Sequence, residues 1–346
     1  MQKNMFIKYF SIIIIIIVPI FITEIFLRFQ NFVDLNDFQR EYPWNNILHH
    51  GTDEFSVSDY GSNCNGVKTK LLLLGDSWME DGYMNRTIGQ EFAAKSKSCV
   101  QVINGSTTSY SPTLYLLKAR QAFDKFGKFD FIIVNIDETD VGDEWLRYQI
   151  PTVRNRQGEI ISVPYEHDIH SRFLWNGEVW AKKSRFYLVR LIKFAFLHKV
   201  MTPLFYDFTF CPDYPSLMRY VFKPEAASLY KKEHGHFAER LEEMANEIST
   251  FTADPSFVYV THHPHLRGLV DKVDHGPLYL PIVSGAIARL PEESGVTVLD
   301  ARNHVRQIHG DTFPDNTFVA GDPYSHLTKD GAVRYGKWIA SQIGSK

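Results

Sequence analysis

The chain has 346 residues, 44% of them hydrophobic and 22% charged, with a formal net charge of −3. That balance excludes a globally disordered chain, and the lack of a basic tract argues against a nucleic-acid partner. The length suits a single domain with an insertion.

The chain opens on "MFIKYFSIIIIIIVPIFITEIFLRF", residues 5–29, which is almost continuously apolar from Tyr9 to Leu27. About 20 helical residues cross a hydrocarbon core of about 30 Å. Residues 1–29 are therefore expected to form a transmembrane anchor. A cleavable signal peptide is the rival, but the run is long for one and no small-x-small cleavage pattern follows it. Lys3 and Lys8 precede the run, while Arg28 and Arg40 follow it among acids. The positive-inside bias thus points weakly to an extracytoplasmic position for everything after the anchor.

Residues 30–66 are polar and irregular and read as a juxtamembrane linker, leaving 67–346 as the main domain. Short apolar runs then alternate with helical patterns. The runs are 70–74, 100–104, 129–136, 256–262 and 296–301. The helical patterns cover 84–95, 112–126, 224–250, 278–290 and 328–343, the last with Thr328 as N-cap. Apolar runs without polar alternation are strands covered on both faces, and their alternation with helices implies a parallel sheet. The fold class expected is α/β, in three layers, with about five strands. The aromatic-rich block 141–222 breaks this rhythm and reads as an insertion or cap. Within it, 184–205 is amphipathic and basic, suited either to packing over the domain or to lying at a membrane interface.

Cys64 lies shortly before one predicted strand and Cys99 begins the next. If those strands are parallel neighbours, the two sulfurs can meet in a disulfide; two buried free thiols are the alternative.

The run "LLLL" ends at Leu74, which puts Gly75, Asp76 and Ser77 on the carboxyl edge of the sheet, where ligands of such sheets bind. A serine between a strand and a helix combines an exposed hydroxyl with a backbone N–H suited to a developing oxyanion. It equally suits a plain N-cap. The base it needs is offered by His326, in the loop before the final helix, with Asp322 four residues earlier to hold the imidazole.

These residues resemble the SGNH, or GDSL-type, hydrolases. "GDSW" matches the first block of that family at Gly75, Asp76 and Ser77, with Trp78 in place of the usual leucine. "VINGSTTSYSP" (102–112) resembles the second block, with Ser109 where the family has glycine. "FIIVNIDETD" (131–140) resembles the third, with Asp137 where the family has an oxyanion-hole asparagine and Asn135 as the alternative. In the last block, Asp322 sits one residue earlier than the family places its aspartate.

The resemblance implies a flavodoxin-like α/β/α domain and an acyl-serine mechanism. Ser77, His326 and Asp322 would be catalytic. Ser77, Ser109 and either Asp137 or Asn135 would line the oxyanion hole. It implies an ester hydrolase, or an O-acyltransferase acting on a cell-envelope glycan with a membrane acyl-donor partner. The altered second and third blocks leave a catalytically inactive binding domain as a further alternative. The implied substrate is a small-molecule or glycan ester; no cofactor and no metal are expected.

Two further clusters stand out. His262, His263 and His265 cluster at the end of the fourth strand. Histidines so close could contribute to a metal site, but no acidic or cysteine cluster accompanies them, and alternate strand positions point to opposite faces. One histidine or Arg267 is expected to line the mouth of the site, the candidates being Asp76, Trp78, His263, His265 and Arg267. Residues 137–145 hold five carboxylates, read as a solvated, capped helix start because the spacing matches no calcium loop.

Overall fold

A computed structural model describes residues 18–26, 28, 55–148, 152–163, 177, 180–201, 227–266, 280–310, 316–320 and 326–343, apart from isolated positions. Of the expected features, residues 9–17, most of the linker, Cys211, Arg267 and Asp322 lie outside the described residues. The chain divides into two compact units. One comprises Met1–Trp44 and Ile169–Met218; the other comprises Asn45–Asp168 and Arg219–Lys346.

The second unit is a mixed α/β structure built on a six-stranded sheet. Its strands are β1 (Ser56–Tyr60), β2 (Thr69–Leu74), β3 (Val100–Asn104), β4 (Phe131–Ile136), β7 (Val258–His262) and β8 (Thr297–Asp300). The spatial order is β1-β3-β2-β4-β7-β8, all parallel except antiparallel β1. A separate two-stranded ribbon is formed by β5 (Val153–Arg154) and β6 (Ile160–Ser162). The sheet has six strands where about five were expected. The sixth, β1, lies within the segment read as linker. Its sequence "SVSDY" escaped notice because an edge strand is half solvated and mixes polar residues into its pattern.

Helices cover both faces. On one face lie α2 (Tyr83–Ser96) and α10 (Lys329–Gln342). On the other lie α3 (Pro112–Phe126), α6 (Ala227–Ile248) and α7 (Leu280–Ile287). The side-chain alternation of a strand explains both layers. Leu72 and Leu74 of β2 join the layer of Ile132, Val134, Tyr115 and Leu241. Leu71 and Leu73 join Ile133, Met84, Ile88, Tyr335 and Ile339. All four leucines are fully buried, each contributing roughly 2 kcal/mol of apolar burial. Gly336 lets α10 lie close to α2: a Cβ there would sit 3.0 Å from the Met84 carbonyl oxygen. Thr328 caps α10 by accepting from the Gly331 N–H at 3.1 Å.

Cys64 and Cys99 are joined by a disulfide, with Cα atoms 5.1 Å apart. The parallel pairing of β2 with β3 brings their two approaches together. The block 141–222 divides between the units: 141–168 and 219–222 belong to the second and 169–218 to the first. In the first unit, residues 18–26 and 28 are helical, as is α5 (Tyr187–Phe196). Among the described residues, no helix is long and apolar enough to cross a membrane.

Candidate active site

β2 delivers Gly75 to the carboxyl edge of the sheet, and the chain turns at once into α1 (Ser77–Glu80). The turn is too tight for a side chain at residue 75. A Cβ there would lie 2.9 Å from the Met79 Cβ and 3.3 Å from the Asn135 Cβ. The turn is closed by amides of Met79 and Glu80 donating to the Asp76 carbonyl. The Trp78 N–H donates to Asp76 Oδ1 at 3.0 Å. Ser77 therefore stands at the tip of a braced corner.

At that tip, Ser77 Oγ lies 2.8 Å from His326 Nε2, across 249 residues of sequence. Asp76 Oδ2 is the other acceptor nearby, at 3.4 Å. With its proton on Nδ1, the imidazole can take the hydroxyl proton at Nε2 across the 2.8 Å contact. His326 is presented by the segment that enters α10. The Val319 N–H donates to the His326 carbonyl at 2.9 Å, and Phe318 bridges to Leu327.

The loop after β3 lies across the same edge. The Gly105 and Thr107 amides donate to the Leu73 and Gly75 carbonyls at 2.9 and 3.0 Å. Glu80 accepts from the Thr108 N–H at 2.6 Å and from its hydroxyl. The Tyr148 hydroxyl donates to the Ser109 carbonyl. Ser109 itself has φ +60°, the left-handed region that favours glycine. A serine there is held by its neighbours, at a cost of about 1–2 kcal/mol.

Asp137, one residue past β4, is not an oxyanion donor in this structure. Its Oδ1 accepts from the Thr139 N–H and hydroxyl at 2.6 and 2.5 Å. Its Oδ2 faces His265 Nε2 at 2.6 Å. Burial alone would raise its carboxyl, but the His265 charge and the Thr139 donors outweigh burial and hold it below the usual range. An ionised carboxylate only accepts. His265 responds in kind: burial lowers it, Asp137 raises it further, and it settles at about 9. Asp137 and His265 form a buried ion pair, and the imidazolium stacks on the Trp78 ring with centroids 5.0 Å apart. The His265 N–H donates to Glu138 at 2.7 Å. Asn135 is buried on β4, where its Oδ1 accepts from Thr261 at 3.0 Å and its Nδ2 has no partner among the described residues.

Asp76, Asp137 and Asp140 bring carboxylate oxygens within 4.8 Å of one another, a spacing that could hold a cation. Their charge is already managed internally. Burial, then the Asp137 charge, pushes Asp76 well above the usual range. Burial, then Asp76 and Asp137, does the same to Asp140. Asp76 and Asp140 are thus pushed towards their neutral forms, while Asp137 is paired with His265. Asp140 Oδ2 accepts from the Asp137 N–H at 3.1 Å and lies 3.0 Å from the Tyr115 hydroxyl, which donates to it or to the Tyr110 carbonyl, also 3.0 Å away. The acidic run 137–145 is therefore not a solvated helix start. Asp137, Glu138, Asp140 and Glu144 are buried, and Glu144 accepts from Ser111 and Thr113 at the start of α3.

The three histidines at the end of β7 separate, His262 being its last residue. His262 is fully buried and faces Asp300 at 3.7 Å. His263 gives its Nδ1 proton to the Pro264 carbonyl at 2.8 Å, so its Nε2 accepts from His309 Nε2, 2.9 Å away. Burial, then the His309 charge, holds His263 well below its usual value. His309, Glu80 and Tyr148 did not stand out in the sequence. Each acts through a contact between segments far apart along the chain.

No family model matches the chain, and no curated protein matches it. Among solved structures it is similar to TesA at 9% identity, over 79% of this chain and 98% of that one, with a TM-score of 0.40. It is similar to the lipase Lip_vut3, from a goat rumen metagenome, at 11% identity. That match covers 80% of this chain and 99% of that one, with a TM-score of 0.41. Likenesses this distant add nothing to the functional reading, which rests on the side chains.

Proposed function

We propose that this chain is a serine hydrolase of the SGNH type, cleaving ester bonds through an acyl-serine. One observation carries the reading: the 2.8 Å contact between Ser77 Oγ and His326 Nε2, on a braced corner at the carboxyl edge of the sheet. Ser77 Oγ attacks the ester carbonyl as its proton passes to His326 Nε2. The tetrahedral oxygen takes hydrogen bonds from the backbone N–H groups of Ser77 and Ser109. Collapse of the intermediate breaks the ester C–O bond, and the leaving alkoxide takes the proton from His326. Water then attacks the acyl-serine with His326 as base, releasing the acid and restoring Ser77. Asp322 keeps the orienting role that the resemblance gives it.

Asp137 does not donate to the oxyanion. It fixes His265 against Trp78 and so braces the residue that follows the nucleophile. The disulfide Cys64–Cys99 supports a domain that matures outside the cytoplasm.

The test is turnover of a series of p-nitrophenyl esters by the full chain, with and without glycan acceptors. Ester hydrolysis should fall at least 1,000-fold in Ser77→Ala and His326→Ala. Acylated sugar accumulating in place of free acid would make the chain an O-acyltransferase. The absence of turnover and of acyl-enzyme with any donor would leave a binding domain.

A further inference from the structure

The helical residues 18–26 reverse the pattern of a helix in water. Val18, Ile20, Phe21, Ile22, Ile25 and Phe26 are 46–66% exposed, while the one buried residue is Glu24. A helix that is apolar all round belongs in a protein core or in lipid. Glu24 is buried because it caps α5: its two carboxylate oxygens accept from the Tyr187 and Leu188 N–H groups, each at 2.8 Å. Arg28 closes the clasp. It donates to Glu24 at 2.8 Å and to the Arg185 carbonyl at 2.9 Å. The start of α5 is thereby tied to the end of the apolar run Tyr9–Leu27.

α5 buries none of its residues. Val189, Ile192 and Phe196 are exposed, at 37%, 59% and 46%. Their spacing of three and four residues puts them on one stripe. The segment 183–201 carries Lys183, Arg185, Arg190, Lys193 and Lys199 and no Asp or Glu. Arg190 lies over the Tyr187 ring and Lys193 over the Trp180 ring. These basic groups thus run along apolar surface, as long basic side chains do at a membrane interface.

We propose that this unit seats on an anionic lipid bilayer, with α5 lying in the headgroup interface and its Val189–Ile192–Phe196 stripe in the acyl chains. The occupant is lipid rather than another protein for two reasons. α5 is tied, through the Glu24 clasp, to the end of an apolar run whose sequence is long enough to enter hydrocarbon. Its flanks carry only positive charge, which complements anionic headgroups. The proposal does not depend on the chemistry at Ser77.

The experiment uses the full chain carrying Cys211→Ser and Ile192→Cys, labelled with an environment-sensitive NBD dye. It is reconstituted at less than one copy per vesicle into phosphatidylcholine/phosphatidylglycerol vesicles. Emission at residue 192 should shift to the blue, and lipids spin-labelled in the acyl chain should quench it at least two-fold. A dye at residue 196 should behave alike, and one at Glu91 of α2 should stay water-like. Quenching at 192 should weaken at least two-fold in phosphatidylcholine alone. Water-like emission at both 192 and 196 would overturn the proposal. So would blue-shifted emission that lipid spin labels fail to quench, which would mean a protein surface covers the stripe. Equal quenching with and without phosphatidylglycerol would overturn its anionic character.

Discussion

Replacing His265 by glutamine removes the imidazolium from a buried carboxylate while keeping a donor of similar reach. In the folded protein His265 titrates at about 9, against 6.5 for a free imidazole, because Asp137 outweighs the cost of burial. At about 1.4 kcal/mol per pH unit, that interval amounts to roughly 3 kcal/mol of stability. The folded value is raised, so the contribution is complete below about pH 6.5 and is lost as the pH climbs through about 9. Urea unfolding of wild type and His265→Gln should therefore differ by about 3 kcal/mol at pH 6 and converge by pH 10. The same group can be followed directly by the NMR shift of its Hε1 proton. A destabilisation that stays constant from pH 6 to pH 10, or an imidazole midpoint near 6.5, would refute the ion pair.

The left-handed backbone at Ser109 predicts that Ser109→Gly keeps esterase activity and loses no more than about 1 kcal/mol of stability, because glycine accepts positive φ freely. Ser109→Val should lower kcat at least ten-fold, since a β-branched residue resists that conformation. The Cys64–Cys99 bridge closes a loop of 35 residues. Chain-entropy arguments put its contribution at about 4 kcal/mol at most, so the Cys64→Ser/Cys99→Ser variant should show a clearly lower urea midpoint. At acid pH the buried pair His263–His309 works in the opposite sense to His265. Burial, then Arg334, lowers His309 to about 4. The stability that the neutral ring provides is full above about pH 6.5 and fades as the pH falls through about 4. A stability maximum on the acid side of pH 6 would contradict that assignment.

The parallel core was legible because each of its strands is buried on both faces and so reads as an unbroken apolar run. The helix predicted at 112–126 is α3, and the N-cap predicted at Thr328 is in place. β1 was not legible, since one edge of it is solvated. The pairing of Ser77 with His326 could be anticipated because each follows a strand or precedes a helix at a nameable edge. The pairing of Asp137 with His265 could not. It depends on β4 lying beside β7, with Ile136 opposite His262, and strand order does not show in local pattern. The same limit hid the burial of the acidic run. Five carboxylates in nine residues look solvated until the donors that satisfy them are seen: Thr139 from within the run, and Ser111, Thr113 and His265 from elsewhere.

The central claim is that Ser77 is a nucleophile activated by His326. Its most direct measurement is the intact mass of the full chain after exposure to a fluorophosphonate, followed by peptide mapping. One adduct should form, on Ser77. It should vanish in Ser77→Ala and form at least 100-fold more slowly in His326→Ala. An adduct on another residue, or labelling of Ser77 at an unchanged rate without His326, would contradict it.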